Sequence, residues 1–514
     1  MKLLFVARHF TYFRNYDAAL RELAARGHRI HLAVERRESM GGEAAIEALT
    51  REYPNITTGM VPERRADTWS GVSRRLRLGL DYLRFLDPWY DDAPLRRVRA
   101  RERTPQVLIA LASPPVVGGE RWRRWYGGLL HGLDAAVPPP DSIVTFMAAQ
   151  KPDAVLVTPL VDLGSQQIDY VRAARQLGIP CGLAVWSWDH LTSKARLREY
   201  PDRVFVWNDT QRREAIEDHG VPADRVMVTG AQCFDHWFVR KPSRTRDELC
   251  ARLGLPADRT LVLYVCSGLA KGSPAEPPFV KQWLDWIRGS NDPRLANASV
   301  IVRPHPAHTK EWAGVDLSAW GPVALWGANP VDEQTRADYF DSLFHSEAVV
   351  GLNTSAFIEA GILGKPVFAI LLPTHHDTQL GTPHFRYLMQ IGEGLLQVSR
   401  TREEHVAQLT VALNRAPLLD HPYRAFLEAF VRPRGLDHPA TPDFVRGVEE
   451  LATCRVVAEQ PTALAQVKRS LLGHAARIAS RIAGESLVRS PRELDPERLA
   501  RIAEAARAQH ADKI

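Results

Sequence analysis

The sequence predicts an α/β protein built from two successive parallel-sheet domains. Three observations carry this. The chain opens strand, helix, strand, at residues 3–7, 16–25 and 30–34, the unit of a parallel sheet. The same alternation returns over 154–229 and again over 261–414. And 514 residues exceed the size at which a single hydrophobic core normally divides.

In the first half, strands are expected at 3–7, 30–34, 55–61, 154–158, 181–186, 204–207 and 226–229, with helices at 16–25, 165–177 and 210–219. Gly178-Ile179-Pro180 and Gly220-Val221-Pro222 stop two of those helices ahead of the next strand. Residues 68–135 break the rhythm, being helix-rich, basic and aromatic. Val72, Leu76, Leu80 and Leu83 recur at helical spacing with Arg74, Arg75, Arg77 and Arg84 between them. This reads as a surface helix packed on its own domain, or as a face toward a membrane or an acceptor. Residues 236–246 read as a polar linker. In the second half, strands are expected at 261–266, 299–302, 323–326, 348–351 and 366–371, and helices at 278–287, 335–344, 355–363 and 403–414. Past about 440 the pattern is helical. Leu464, Val467, Leu471, Ala475, Ile478 and Ile482 form one face, beside Lys468, Arg469, His474, Arg477 and Arg481. That helix either crosses back onto the first domain or rests on an anionic membrane surface.

Composition narrows the function classes. With 45% hydrophobic and 25% charged residues the chain is an ordinary globular one. No apolar run reaches the roughly 20 residues that span a bilayer. Arg8 interrupts the N-terminal apolar run too early for a signal-peptide core. Cys181, Cys233, Cys250, Cys266 and Cys454 are scattered without C-x-x-C spacing, which points to a reducing, cytoplasmic setting without a thiolate metal site. A net charge of +6 suits an anionic substrate or surface, and the basic residues lack a nucleic-acid reading motif.

Ligands of open α/β sheets bind beyond the carboxyl ends of the strands. After the first strand lies Arg8-His9-Phe10-Thr11, where His9 is a candidate general base and Arg8 or Arg14 an anion ligand; the alternative is that they organise the turn. No G-x-G-x-x-G follows, so a nicotinamide cofactor loses its main support. Asp162 can bind a sugar hydroxyl, act as a base, or hold its loop, and Ser165 can cap the helix after it. Trp186-Ser187-Trp188-Asp189-His190 through Lys194 suits a sugar or polyol acceptor, with Asp189 the proton acceptor and the tryptophans either binding or structural.

In the second half, Ser267, Gly268 and Lys271 form a small-residue turn that admits a phosphate, though it is not a P-loop. Arg303-Pro304-His305-Pro306 holds His305 between two prolines and presents it rigidly, with Arg303 as a supplementary donor. A structural or metal-ligating role is the alternative there, without a carboxylate partner set to support a metal. Asn353, Thr354 and Ser355 stand at a helix start, where backbone amides attract phosphate, and Glu359 one turn on can reach ribose or sugar hydroxyls. Thr374-His375-His376-Asp377 reads as a lid or sugar-binding rim.

At these residues the chain resembles two-domain glycosyltransferases of the GT-B class, nearest to the CDP-glycerol glycerophosphotransferase-like and bacterial capsule or lipopolysaccharide transferase group. The resemblance rests on RPHP at 303–306 and GLNTSAFIEAGILGKPVFAI at 351–370, and covers roughly residues 1–440. It implies two Rossmann-like domains facing across a cleft, with C-terminal helices. Residues 1–240 would bind the acceptor and carry the 68–135 insertion, 241–440 would bind the nucleotide donor, and 441–514 would be a helical extension. His305, Thr354 and Ser355 would contact the donor phosphates, Glu359 the ribose or sugar, and His9, Asp162 or Asp189 would supply a catalytic base. The related polymerases carry two serines where this chain has Thr354-Ser355, so the donor stays open among CMP-, CDP-, UDP- and GDP-linked species. The implied reaction is metal-independent sugar transfer to a saccharide or lipid-linked acceptor in cell-envelope polysaccharide or glycolipid synthesis, on the cytoplasmic side and peripheral to the membrane. A CDP-glycerol or CDP-ribitol phosphotransferase, a non-hydrolysing nucleotide-sugar 2-epimerase and a non-catalytic nucleotide- or glycan-binding protein are the alternatives.

Overall fold

Strand β1, Lys2–Ala7, has five consecutive buried residues, the pattern of a strand covered on both faces. In this computed structural model it pairs in parallel with Arg29–Val34 (β2), and β2 with Ile56–Met60 (β3). On its other side follow Ala154–Thr158 (β4), Cys181–Ala184 (β5), Arg203–Val206 (β6) and Val226–Val228 (β7). The seven strands run β3-β2-β1-β4-β5-β6-β7. The chain order therefore reverses between β1 and β4. The structure describes residues 1–474 apart from 38–40, 63–68, 115–118, 270–272, 415–420, 460–462, 464–465 and 468.

A second parallel sheet holds Leu261–Val265 (β8), Ser299–Arg303 (β9), Val323–Leu325 (β10), Ala348–Gly351 (β11), Val367–Ile370 (β12) and Gln397–Ser399 (β13), in the order β10-β9-β8-β11-β12-β13. Here the reversal lies between β8 and β11. The protein thus has the two Rossmann-like parallel-sheet domains of the GT-B class. Met1–Cys233 with the described residues from Pro439 onward forms one compact unit, and Phe234–His438 the other. The helix Thr441–Thr453 packs on the first sheet, and two glycines let it. A Cβ at Gly182 would lie 2.9 Å from Leu451 of that helix, and one at Gly447 would lie 2.8 Å from Phe205. Of the C-terminal face expected over 464–482, Val467 and Leu471 are exposed, while Leu464, Lys468, Ala475, Arg477, Ile478, Arg481 and Ile482 lie outside the described residues. Among the described residues no helix is long and apolar enough to cross a membrane.

Two expectations need correction. Residues 236–246 are not simply a linker. Asp235–Val239 is helical, and Asp341 accepts from the Ser243 backbone at 2.8 Å and hydroxyl at 2.6 Å, because a carboxylate on a neighbouring helix can hold a turn that has no apolar side chains of its own. The second correction concerns the insertion between β3 and β4, which comprises helices Trp69–Arg84, Pro94–Arg103, Gln106–Ala112 and Glu120–Ala135. On Trp69–Arg84 the stripe Val72, Leu76, Leu80 and Leu83 is only half-buried. The fully buried face carries Ser73, Arg77, Leu78 and Asp81.

Arg77 is 0% exposed, and each of its three guanidinium nitrogens donates. Nε donates to Asp134 at 2.9 Å, Nη2 to Asp169 at 2.8 Å, and Nη1 to the Ser165 carbonyl at 2.9 Å. Arg172 takes the other Asp134 oxygen at 2.9 Å and reaches Glu199 at 2.8 Å. Asp81 pairs with Arg198 and accepts from the Gly164 backbone at 2.7 Å. Arg84 caps the carbonyls of Leu191 and Ala195, each at 2.8 Å. The insertion is therefore fastened to the sheet by inward-turned arginines, and Arg77 and Arg84 are not available to a membrane or an acceptor. Truncating one partner of such a buried set leaves uncompensated charge. Arg77→Ala is expected to lower the stability of this unit by about 3–5 kcal/mol, read as a shifted midpoint in urea unfolding.

Candidate functional site

Each unit gathers chemistry at the strand ends where its sheet order reverses. In the Phe234–His438 unit the gathering is a chain of contacts across β9, β8 and β11. His305, just past β9, accepts the Ala307 N–H on Nδ1 at 3.2 Å, so the neutral ring carries its proton on Nε2. That edge lies against Gly268, past β8. A Cβ there would stand 3.2 Å from His305 Nε2, so only glycine leaves the ring undisturbed. The adjoining Ser267 is fully buried, and its hydroxyl accepts the Asn353 N–H at 3.0 Å, tying the β8 turn to the loop after β11. From there the chain continues through half-buried Thr354 to exposed Ser355, whose side chain makes no capping bond. Thr354 Oγ1 accepts from Ala356 at 3.3 Å.

Several candidates fill places other than those a ligand would touch. Ser267 and Asn353 are braces, since the Asn353 amide also donates to the Thr378 carbonyl. Arg303 is 5% exposed. Its Nη2 donates to the Ala328 carbonyl at 2.7 Å, and its guanidinium lies 4.6 Å from the Tyr339 ring centroid. Tyr339 in turn donates its hydroxyl to Glu359, so Arg303 lies beneath Glu359. His308 pairs with Glu311 at 2.6 Å. In the loop 374–377, His375 and Asp377 are buried, with His375 Nε2 3.3 Å from the Pro274 carbonyl. Lys271 lies outside the described residues.

In the other unit, Arg8 past β1 pairs with Asp162 past β4, each about one-third exposed, across the reversal point. Burial opposes the Arg8 charge, but Asp162, Tyr12 and Glu35 outweigh it and hold the guanidinium above its ordinary value. A recess of about 130 Å³ opens beside the pair, lined by Arg8, Glu35, Arg74, Asp162, Gly164 and Tyr170 among others. The rings of His9 and Tyr12 meet edge to face at 4.6 Å, and Tyr12 lies 4.8 Å from Trp186 past β5. Burial first, then Asp162, pushes the Tyr12 hydroxyl up to about 12, with Asp189 adding to the shift. Asp189 accepts from the Ser193 hydroxyl at 2.9 Å and sits 3.5 Å from Lys194. Arg8, His9, Tyr12, Asp162 and Asp189 thus share one strand-end region.

His190 and Trp188 are the exceptions in this loop. Both are buried. The His190 ring accepts the Trp186 N–H at 2.9 Å and meets the Pro159 carbonyl at 2.6 Å, and burial drives it down to about 4. It is a neutral strut between the loops after β4 and β5, not an acceptor ligand. Ser165 likewise braces its turn, accepting from the Gln167 N–H at 3.3 Å.

No family model matches the chain, and no curated protein matches it. Among solved structures it is similar to the UDP-GlcNAc 2-epimerase of Methanocaldococcus jannaschii, at 10% identity and a TM-score of 0.48, over 88% of this chain and 100% of that one. It is similar to the UDP-GlcNAc 2-epimerase of Neisseria meningitidis bound to UDP-GlcNAc, at 12% and 0.48, over 88% and 100%. It is also similar to WaaG, a glycosyltransferase involved in lipopolysaccharide biosynthesis, at 10% and 0.44, over 88% and 100%. The likeness is one of fold, so the chemistry of the site has to be argued from its own residues.

Two residues escape a reading of the sequence. Tyr12 stands one helical turn beyond His9, and that spacing in Arg8-His9-Phe10-Thr11-Tyr12 is the signal that could have found it. Glu276 had none, because it starts the helix Glu276–Arg288 and looks like an ordinary first-turn acid. It is 1% exposed and accepts from the Ser267 N–H at 2.8 Å and the Tyr264 hydroxyl at 3.0 Å. Burial raises it from 4.5 to about 7. Among the described residues no cluster of three or more His, Cys, Asp or Glu side chains is placed to hold a metal ion.

Because its pKa is raised in the fold, Glu276 favours folding as the neutral acid. That contribution is complete below pH 4.5 and is lost as pH climbs through about 7. Glu276→Gln, which resembles the neutral acid, is therefore expected to be more destabilising at pH 5 than at pH 8, by about 3 kcal/mol, in paired denaturation curves.

Proposed function

We propose that the protein binds a nucleotide-activated sugar at the strand-end cluster of the Phe234–His438 unit and transfers the sugar to an acceptor hydroxyl. The observation that supports this best is the His305 edge held against Gly268, one link from the Ser267–Asn353 bond and the Thr354-Ser355 turn. An imidazole N–H, hydroxyls and backbone N–H groups without an intervening acid are what a diphosphate needs. In this reading His305, Thr354 and Ser355 take the phosphates, and Glu359, oriented by Tyr339, takes a ribose or sugar hydroxyl. Arg303, Ser267, Gly268 and Asn353 hold that set in shape.

In an inverting transfer, Asp189 accepts the proton of the acceptor hydroxyl, whose oxygen bonds to the anomeric carbon as the bond to the distal phosphate oxygen breaks. His305 and the nearby amides stabilise the charge that collects on the leaving nucleotide. Asp189 is preferred to Asp162, whose partner Arg8 lies closer to it than Lys194 lies to Asp189. Epimerisation of the nucleotide sugar is a second reading. It is favoured by the two carboxylates, Asp162 and Asp189, that both act on Tyr12, since removing and returning a proton at a sugar carbon calls for such a set. Peripheral membrane contact is proposed on exposed Trp125, Leu129 and Leu111 of the insertion.

CMP, CDP, UDP and GDP, with their sugars (UDP-GlcNAc included) and CDP-glycerol, form the panel that tests the donor site by thermal shift and calorimetry. One nucleotide class is expected to stabilise the protein, and His305→Ala to weaken it about 10- to 100-fold, the loss of one charge-assisted hydrogen bond. Stabilisation by none of the panel overturns the reading. For the chemistry, Asp189→Asn is expected to lower kcat by about 10²-fold or more with donor affinity unchanged. Turnover at the wild-type rate removes Asp189 from the role. Release of free nucleotide marks transfer, and an isomerised sugar nucleotide without release marks epimerisation.

A further inference from the structure

The helix Pro94–Arg103 within the insertion carries arginines at 96, 99 and 103, spaced i, i+3, i+7 and so on one face. Its other face is occupied, with Arg97 donating to the Phe85 carbonyl at 2.8 Å and to Asp91 at 2.7 Å. Arg96 Nη1 donates to the Ser193 carbonyl at 3.2 Å, which fastens this helix to the loop that carries Asp189. Arg96 feels Asp189, and Arg99 feels Arg103, Arg96, Asp162 and Arg8. The arginine face therefore overlooks the strand ends of β1, β4 and β5.

The charges there do not balance. Asp162 is paired with Arg8, and Asp189 lies by Lys194. Among the described residues Arg99 and Arg103 make neither a hydrogen bond nor an ion pair. Both side chains are exposed. Burial and then the neighbouring cations Arg103 and Arg96 push Arg99 down to about 10, which still leaves it charged at neutral pH. The nearest carboxylates, Asp162 and Asp189, already lie beside Arg8 and Lys194, so the guanidinium groups still repel one another, and an anion between them relieves that while gaining bidentate bonds.

We propose that Arg96, Arg99 and Arg103 form an anion subsite over the strand ends of the first sheet, and that it takes a saccharide bearing a phosphate or carboxylate. The proposal deepens the transfer reading above, because it makes the acceptor an anionic sugar. It also separates from that reading, since the subsite needs no nucleotide.

The full chain is titrated calorimetrically, at low salt, with N-acetylglucosamine, its 6-phosphate and glucuronic acid. The two anionic sugars are expected to bind at least about 10-fold more tightly than the neutral one, the value of one charge-assisted contact. Arg99→Ala/Arg103→Ala is expected to erase that preference, and Arg99→Lys/Arg103→Lys to keep part of it. Nucleotide binding is expected to be unchanged in both variants. Equal affinity for the three sugars, no binding of any, or an unaltered preference in the alanine variant overturns the proposal. Vesicles of phosphatidylcholine with and without phosphatidylglycerol form the second arm. Arginine-dependent binding to the anionic vesicles without a preference among the soluble sugars assigns these residues to a membrane and overturns it too. Failure of the nucleotide panel alone leaves the subsite standing and removes only the transfer chemistry.

Discussion

The buried Arg77 guanidinium is the constraint on which the first unit of this protein depends. One side chain on the insertion joins Asp134, at the far end of the insertion, to Asp169 and the Ser165 carbonyl, which belong to the segment after β4. Four helices, which share an apolar cluster around Tyr82, Phe85, Tyr126 and Leu130, are thereby held against the loops after β4 and β5. The same fastening fixes the loop that carries Asp162, because Asp81, four residues from Arg77, accepts from Gly164. Burying this much charge costs several kcal/mol per ion before pairing, so the network is better regarded as a device for register than as a source of net stability. Apolar contacts are non-directional, whereas buried charge pairs fix a register. Carboxylates 57 and 92 positions from Arg77 admit one arrangement.

The two units reach their clusters by one rule. In each sheet, the first strand sends the next two to one side and the remainder to the other, so two adjacent strands have connections leaving in opposite directions. Their carboxyl ends are left uncovered by either connection. In the first unit that opening is bridged by Arg8 and Asp162, and in the second by Ser267 and the Asn353 backbone. One opening is bridged by charge and the other by a neutral hydrogen bond.

Most of the sheet architecture was legible in the sequence, because parallel strands covered on both faces are short apolar runs between Gly or Pro stops, as at 154–158 and 348–351. β13 was not, since Gln397–Ser399 is three residues long with one of them exposed. The strand-end loops were legible for the same reason as the strands. Which side chains in them face outward was not. Ser267 and Ser355 look equivalent in sequence, yet one is fully buried and the other exposed, and the difference lies in Glu276 and Asn353, which only the fold brings to Ser267. Arg303 looks like a phosphate ligand beside His305, but it closes β9 and its guanidinium lies against the Tyr339 ring, a contact that only the fold makes. The inward arginines of the insertion were hidden because a Leu and Val stripe at the correct period offered a plausible apolar face, and the partners that overrule it are distant in sequence.

The chemistry of the two clusters divides along the same line. The His305 cluster offers donors, an imidazole N–H and hydroxyls, with Glu276 behind Ser267 pushed toward its neutral form by burial. The Asp162 and Asp189 cluster offers what the other lacks, carboxylates that can exchange protons, set among cations that limit their mutual repulsion. In the proposed reaction, binding a diphosphate and moving a proton demand opposite electrostatic surroundings, and neutral donors in one unit with compensated carboxylates in the other would let each be tuned without spoiling the other.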